Sequence, residues 1–214
     1  MAPPVGVQPA RSYAAGVERP PVIGLVGGIG AGKSAVAAHL RRLGCVVCDS
    51  DALAREVLLD PGVRRELVRW WGSGIMNSDG LVDRRRVAAI VFERPEERLR
   101  LEALIHPLVE RRREALFRDA PASTRALVID APLLLEAGLG ERCDAILFVD
   151  APEAMRRARV EATRGWDAAE LARREAAQWP LDRKRAAARA VIRNDGSEAE
   201  LARAVEAALA DVLA

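Results

Sequence analysis

The chain contains 214 residues, 50% of them hydrophobic, which is long enough for one sizeable core but too short for two large domains. Its 33 basic and 31 acidic residues leave a formal net charge of +2, so no strong field is available to attract nucleic acid or an acidic membrane. Aromatic residues make up only 4%, too few for a base-stacking surface. The sequence also lacks a run of about 18 apolar residues, so we expect neither a nucleic-acid partner nor a membrane span.

The N-terminus and the cysteines indicate the compartment. Residues 1–20 contain four prolines and no apolar stretch, so we expect a disordered tail rather than a signal peptide, followed by a single domain over residues 21–214. Cys45 and Cys48 have CxxC spacing, but they lie in an apolar run with no second ligand pair. Two core thiols in a reducing cytoplasm are therefore favoured over zinc or redox chemistry. The sequence does not define the oligomeric state, and a monomer is our expectation.

The first elements predict a strand–turn–helix–strand unit. Residues 22–26 form an apolar run that ends in glycines, residues 34–43 have apolar positions at helical spacing, and residues 45–48 form a second apolar run. Because these elements form a βαβ unit, we expect the second strand to lie beside the first.

The middle of the chain predicts helices separated by proline- and glycine-containing breaks, at 51–59, 62–71, 83–92 and 95–118. The remainder alternates strands at 126–130, 145–149 and 190–193 with helices at 152–163, 167–178, after Pro180, and 198–213. Short apolar strands between helices are typical of a parallel sheet covered on both faces. We therefore predict an α/β fold with a five-stranded parallel sheet, whose ligands bind beyond the carboxyl ends of the strands.

A glycine-rich segment between the first strand and the first helix matches the phosphate-loop pattern G-x-x-x-x-G-K-[ST] in full. Its backbone N–H groups and the start of the helix would bind phosphate oxygens. The alternative is a glycine-rich turn that matches the pattern by chance. The predicted ATP-binding residues of this segment are Gly28, Ile29, Gly30, Ala31, Gly32, Lys33, Ser34 and Ala35.

Lysine is rare in this chain, since only Lys33 and Lys184 are lysines among the 33 basic residues. Where the chain uses lysine, we expect the position to need a compact ammonium on a flexible side chain rather than the planar guanidinium of arginine. Lys33 is predicted to reach the β- and γ-phosphates as a catalytic cation, and Ser34 to supply a hydroxyl ligand to Mg²⁺.

Two carboxylates, Asp49 and Asp51, follow the second strand. Phosphoryl transfer to a hydroxyl needs a carboxylate to take or orient the proton, and two acids two residues apart can divide such tasks. The alternative is that Asp51 is the N-cap of the next helix and Asp49 is a solvated acid.

Six segments, in this order, resemble the dephospho-CoA kinase family over about residues 22–213: Gly27–Ser34, Asp49–Arg55, His106–Pro107, Ala131–Glu136, Gln178–Lys184 and Val191–Gly196. The resemblance implies an adenylate-kinase-like P-loop kinase core with a helical acceptor-binding part at about 55–120 and a lid at about 155–180. It implies transfer of the ATP γ-phosphoryl group, with Mg²⁺, to the ribose 3′-hydroxyl of dephospho-CoA.

The resemblance also implies roles for single residues. Asp51 would be the general base and, with Asp49, Arg55 and His106, would belong to the acceptor site. Arg159 and Arg164 would clamp the transferring phosphate, and Asn194 and Gly196 would border the adenine. The chain departs from the family pattern at Ala35, at Arg193 and by one extra residue between the arginines of the lid.

Alternative interpretations stay open at this stage. Arg156, Arg157, Arg159 and Arg164 would equally suit a solvated basic helix face, and His106 before a proline is more often structural than a proton carrier. Other functions are a small P-loop kinase for a nucleoside, a nucleoside monophosphate or a sugar, and a non-catalytic nucleotide switch.

Overall fold

The structure is a computed structural model that describes residues 19–214, and these form five strands and nine α-helices. The predicted tail lies outside the described residues except for its last two. The strands are β1 (Val22–Gly27), β2 (Val46–Asp49), β3 (Leu127–Asp130), β4 (Ala145–Asp150) and β5 (Ala190–Arg193). The helices are α1 (Lys33–Arg42), α2 (Ser50–Val57), α3 (Pro61–Trp71), α4 (Arg84–Glu93), α5 (Pro95–Arg118), α6 (Glu153–Arg164), α7 (Ala168–Ala176), α8 (Leu181–Ala186) and α9 (Glu198–Leu213).

Each predicted strand and helix is found close to its expected bounds. Two 3₁₀ turns that the sequence analysis did not predict, Ser73–Ile75 and Leu139–Arg142, lie in the connections after α3 and after β3. None of the described helices is long and apolar enough to cross a bilayer.

The five strands form one parallel sheet in the order β2-β3-β1-β4-β5. The expectation that the second strand lies beside the first was wrong, because β3 lies between them and pairs with β1 from Val22↔Leu127 to Leu25↔Asp130. β4 occupies the other side of β1, so both edges of the central strand are taken by strands that come later in the chain.

The chain divides into two compact units: the described residues up to Cys48 together with Ala120–Ala214, and Asp49–Asp119. In the first unit, all six residues of β1 are buried and the first five of β4 are buried. Leu40 of α1 and Leu209 of α9 are fully buried in the same apolar cluster as Leu25 and Val149 of these strands. Burial of this apolar surface is the main force that holds the strands and helices of this unit together.

The second unit is helical and has its own core of buried side chains from α2 to α5, the residues Val57, Val63, Leu67, Ile75, Val87 and Ile105. Asp60 and Asp83 cap α3 and α4 by accepting hydrogen bonds from backbone N–H groups. α5 continues through Pro107 for 24 residues, as the sequence analysis predicted.

Candidate active site

The carboxyl ends of the strands bring polar groups of the first unit to one edge of the sheet. Gly27 is in register with Val149, Asp150 is in register with Arg193, and the Asn194 N–H donates to the Asp150 carbonyl at 2.8 Å. The loop Gly27–Ser34 therefore begins at the edge where a parallel sheet binds its ligands.

The glycines of this loop are required by its conformation and by close packing. Gly30 and Gly32 have φ of +78° and +91°, the left-handed region that favours glycine. A Cβ at Gly30 would lie 2.6 Å from the carbonyl oxygen of Arg156, and a Cβ at Gly32 would collide with the side-chain amide of Asn194. α6 and the residue after β5 thus approach the loop backbone directly.

α1 begins at the end of the loop without a side-chain cap, because Gly32 occupies its N-cap position and the first turn contains no acidic residue. The N–H groups at a helix start carry partial positive charge and need an acceptor. An anion bound inside the loop would accept hydrogen bonds from these N–H groups. Phosphate sites at helix N-termini have this arrangement.

The side chain of Lys33 folds back onto the start of the loop. Its Nζ donates to the carbonyl oxygen of Gly27 at 3.1 Å and to that of Gly28 at 3.4 Å. The ammonium is held at the mouth of the loop, where a point charge can bind phosphate oxygens. Ser34 and Ala35 follow in the first turn of α1, and both are exposed.

Arg159 and Asn194, two residues predicted from the resemblance, contact the loop. Arg159 Nη1 donates long hydrogen bonds to the carbonyls of Gly30 and Ala31, at 3.5 and 3.4 Å. The buried Asn194 side chain donates to the same Ala31 carbonyl at 2.7 Å, and Arg159 Nη2 reaches the Asn194 carbonyl at 3.0 Å. The structure thus brings these two residues together on the phosphate loop.

Arg164 and Gly196 occupy different surroundings. Arg164 is the exposed last residue of α6, and its guanidinium stacks on the ring of Trp166, with Cζ 4.8 Å from the ring centroid. Gly196 precedes the capping box of α9, where a Cβ would collide with the carboxylate of Glu200. The close approach of Glu200 therefore accounts for a glycine at position 196.

Asp49 is the last residue of β2 and Asp51 lies two residues further on, and their surroundings in the helical unit differ. Asp49 is the N-cap of α2, and its Oδ1 accepts from the Ala52 N–H at 2.8 Å. The alternative in which Asp51 caps this helix is therefore wrong, because α2 starts at Ser50 and Asp51 lies exposed in its first turn. Arg55 is exposed in the last turn of α2 and His106 is exposed on α5, so neither belongs to the apolar core of this unit.

Sequence reasoning gave no role to a buried polar cluster beside the lid segment. Lys184 of α8 is 1% exposed, and its Nζ lies 2.9 Å from Glu136 Oε1 and 2.9 Å from Gln178 Oε1. The Trp179 N–H donates to the same Glu136 oxygen at 2.7 Å. Burial raises the pKa of Glu136, but the hydrogen bonds from Lys184 and Trp179 outweigh it and leave the pKa below the ordinary value. The rarity of lysine was the sequence signal for this site.

Arg156 is a second group whose role the sequence did not reveal. It is buried in α6, donates from Nη1 to the Ile29 carbonyl of the loop at 3.2 Å, and forms an ion pair with Glu175 of α7. This contact excludes the alternative of a solvated helix face for Arg156, whereas Arg157 next to it is exposed.

The residues present suit a magnesium ion bound mainly through a nucleotide. Among the described residues, no three or more carboxylate, histidine or cysteine side chains lie together so that they could hold a metal ion. Ser34 offers an exposed hydroxyl at the loop, and Asp130 ends β3 at the same edge of the sheet. Mg²⁺ in kinase sites keeps several waters and takes its other ligands from one or two protein groups and the phosphates, so this sparse donor set fits.

Comparisons with known proteins agree on one family. Residues 21–200 match the family model described as dephospho-CoA kinase. Relatives named dephospho-CoA kinase from Geobacillus kaustophilus and Geobacter metallireducens are 40% and 42% identical, and each alignment covers 87% of this chain and 94% of the relative. A crystal structure of a Thermus thermophilus protein, 40% identical, superposes with a TM-score of 0.78 over 90% of this chain and 98% of that one. A dephospho-CoA kinase from Campylobacter jejuni, 18% identical, has the same fold with a TM-score of 0.62 over 89% of this chain and 96% of that one.

Proposed function

The chain belongs to the dephospho-CoA kinase family, and on that premise we propose that it transfers the γ-phosphoryl group of ATP to the 3′-hydroxyl of dephospho-CoA, the last step of coenzyme A biosynthesis. The observation that carries the proposal is the phosphate loop with Lys33 closed over it at the carboxyl edge of a parallel sheet. The loop is the part of the chain that binds the triphosphate of ATP. The identity of the acceptor, dephospho-CoA, is inferred from the family to which the chain belongs.

The loop and Lys33 hold the nucleotide. Backbone N–H groups from Gly28 to Ser34 bind the β- and γ-phosphate oxygens, and the uncapped start of α1 adds its partial positive charge. When phosphates enter, the Lys33 ammonium exchanges the Gly27 and Gly28 carbonyls for phosphate oxygens. Ser34 would hold Mg²⁺, and the ion would neutralise charge on the β- and γ-phosphates.

The acceptor residues belong to the helical unit. The 3′-oxygen attacks the γ-phosphorus, the bond between that phosphorus and the β–γ bridging oxygen breaks, and ADP leaves. Asp51 takes or orients the proton of the 3′-hydroxyl. An exposed carboxylate that does not cap the helix is suited to this role. Arg55, Asp49 and His106 bind the acceptor, and Asp49 also keeps the first turn of α2 in place.

The lid segment supplies the remaining positive charge. Arg159 contacts the loop and the Asn194 carbonyl. In this proposal Asn194 and Gly196 border the adenine. Arg164 moves from the Trp166 ring to the transferring phosphate as the lid closes, and closure excludes water as a competing acceptor.

An acceptor panel tests the function. Purified protein with ATP and Mg²⁺ is offered dephospho-CoA, adenosine, AMP and gluconate, and ADP release is followed with a coupled assay. We expect turnover with dephospho-CoA to exceed that with each other acceptor by orders of magnitude. Preferred turnover of a nucleoside, a nucleotide or gluconate would contradict the acceptor assignment. Slow hydrolysis that no acceptor stimulates would indicate a nucleotide switch instead.

A further inference from the structure

The carbonyl groups of the phosphate loop accept hydrogen bonds from side-chain donors. A loop that turns its N–H groups inward to an anion must turn its carbonyls outward, where each needs a donor. Lys33 donates to Gly27 and Gly28, Arg156 to Ile29, and Arg159 to Gly30, while Ala31 accepts from Arg159 and Asn194. Apart from Lys33, which exchanges its carbonyls for phosphate oxygens, three side chains of the lid segment and of the residue after β5 therefore hold the successive carbonyls of Ile29, Gly30 and Ala31.

Arg156 differs from the other donors because it is buried and ion-paired. The residue is only 5% exposed, and its Nη1 contacts both the Ile29 carbonyl and the Glu175 carboxylate. It also packs closely on the loop backbone, since a Cβ at Gly28 would lie 2.9 Å from the same Nη1 atom. A buried cation is costly unless it is paired, so the position requires both partners.

We propose that Arg156 is a positioning residue for the phosphate loop, holding the Ile29 carbonyl outward so that the neighbouring N–H groups face the nucleotide. Glu175 holds the guanidinium in that position and ties α7 of the lid segment to the loop. The inference rests on the proposed use of the loop for ATP, but it does not depend on which molecule accepts the phosphoryl group.

The chemistry of the side chain explains why an arginine suits this position. A guanidinium spreads its charge over a planar fork with five N–H donors, so one side chain can serve a carbonyl and a carboxylate together. A lysine side chain differs in length, and its ammonium lacks the planar arrangement of N–H donors that a guanidinium has. Arg156→Lys is therefore expected to keep the charge while serving the two partners less well.

The test measures nucleotide binding separately from turnover and stability. Arg156→Met, Arg156→Lys and Glu175→Gln are compared with the wild-type chain by calorimetric titration with ATP and ADP, steady-state kinetics and thermal unfolding. Arg156→Met is expected to weaken ATP and ADP binding about tenfold and to raise KM for ATP. KM for dephospho-CoA is expected to stay unchanged, and Arg156→Lys to restore part of the affinity.

Matched controls come from the ion pair of Arg173 with Glu170 within α7, in which the arginine is exposed and the glutamate is partly buried. Arg173→Met and Glu170→Gln remove the same chemical groups without a contact to the loop, and we expect wild-type nucleotide affinity from both. If Arg156→Met lowers Tm but leaves the affinity for ATP unchanged, the role is structural only and the proposal is overturned.

If Arg156→Met does not fold, the Glu175→Gln variant tests the proposal instead. This variant keeps the Arg156 guanidinium and removes only the negative charge that pairs with it. Weaker ATP binding by Glu175→Gln than by Glu170→Gln would support the proposal, and equal binding would overturn it. A wild-type chain that binds ATP but phosphorylates another acceptor would refute the proposed function alone. A wild-type chain that binds no ATP would overturn both.

Discussion

Lys184 and Glu136 form an ion pair in the interior of the first unit, with Nζ 2.9 Å from Oε1 and the lysine only 1% exposed. The pair joins α8 to the connection after β3, and it is supported by hydrogen bonds from Lys184 to the Gln178 side chain and from the Trp179 backbone to Glu136. α8 in turn contacts β1, the strand that leads into the phosphate loop. The pair therefore fixes the chain segment that follows α7 to the core that carries the loop.

Lys184→Met tests the strength of this connection. The substitution leaves the partly buried Glu136 carboxylate without its cation, so we expect the free energy of unfolding to fall by about 3 kcal/mol in urea titrations at pH 7. The double variant Glu136→Leu/Lys184→Met removes both charges and should recover most of the loss. Arg189→Met breaks an exposed pair with Asp211 and serves as the control with little expected change. Equal stability of Lys184→Met and the wild type would contradict this account of the pair.

The same pair predicts a dependence of stability on pH. The pKa of Glu136 is lowered in the folded state, so its ionised form contributes stability above the ordinary glutamate pKa and loses it as the pH falls through the lowered value. We expect the wild type to be more stable than Glu136→Gln at pH 7. That difference should shrink as the pH is lowered through the acid range in a series of urea titrations. A difference that grows towards acid pH would show that the carboxyl is not held in its charged form.

Lys33 is predicted to be essential for transfer. Lys33→Ala removes the ammonium that the Gly27 and Gly28 carbonyls hold at the mouth of the loop, and we expect kcat/KM to fall by at least about 10³-fold. Lys33→Arg should recover little of the lost kcat/KM, because a planar guanidinium does not replace a compact ammonium. Arg41→Ala, exposed on the same helix, is the control. Wild-type kinetics of Lys33→Ala would remove the lysine from the mechanism.

Asp51→Asn separates chemistry from nucleotide binding. Loss of the proton acceptor should lower kcat by about 10³-fold while the affinity for ATP stays close to that of the wild type. Glu56→Gln lies on the same helix, where Glu56 pairs with Arg112, and is expected to keep full activity. An unchanged kcat in Asp51→Asn would exclude Asp51 as the general base.

The elements could be predicted from the sequence because the strands are short apolar runs and the helices end at proline or glycine. The sheet order could not, since both neighbours of β1 lie about a hundred residues or more further along the chain and pairing between distant strands leaves no local pattern. The phosphate loop was recognisable because its chemistry is contained in eight consecutive residues.

The remainder of the site depends on contacts that the sequence does not encode locally. Asp49 rather than Asp51 caps α2 because the helix starts at Ser50, two residues earlier than an Asp51 cap requires, and helix ends are the least certain part of such predictions. The ion pair of Arg156 with Glu175 joins two helices, so the arginine-rich pattern of α6 alone could not distinguish a buried donor from an exposed one.

The most direct test of the central claim follows the phosphoryl group itself. ATP labelled in its γ-phosphate is incubated with the protein, Mg²⁺ and dephospho-CoA, and the product is separated and analysed by ³¹P NMR and mass spectrometry. The proposed function predicts the label in a phosphomonoester on the ribose 3′-oxygen, giving coenzyme A with ADP in equal amounts. Label found only in inorganic phosphate, or at any other position of the acceptor, would contradict it.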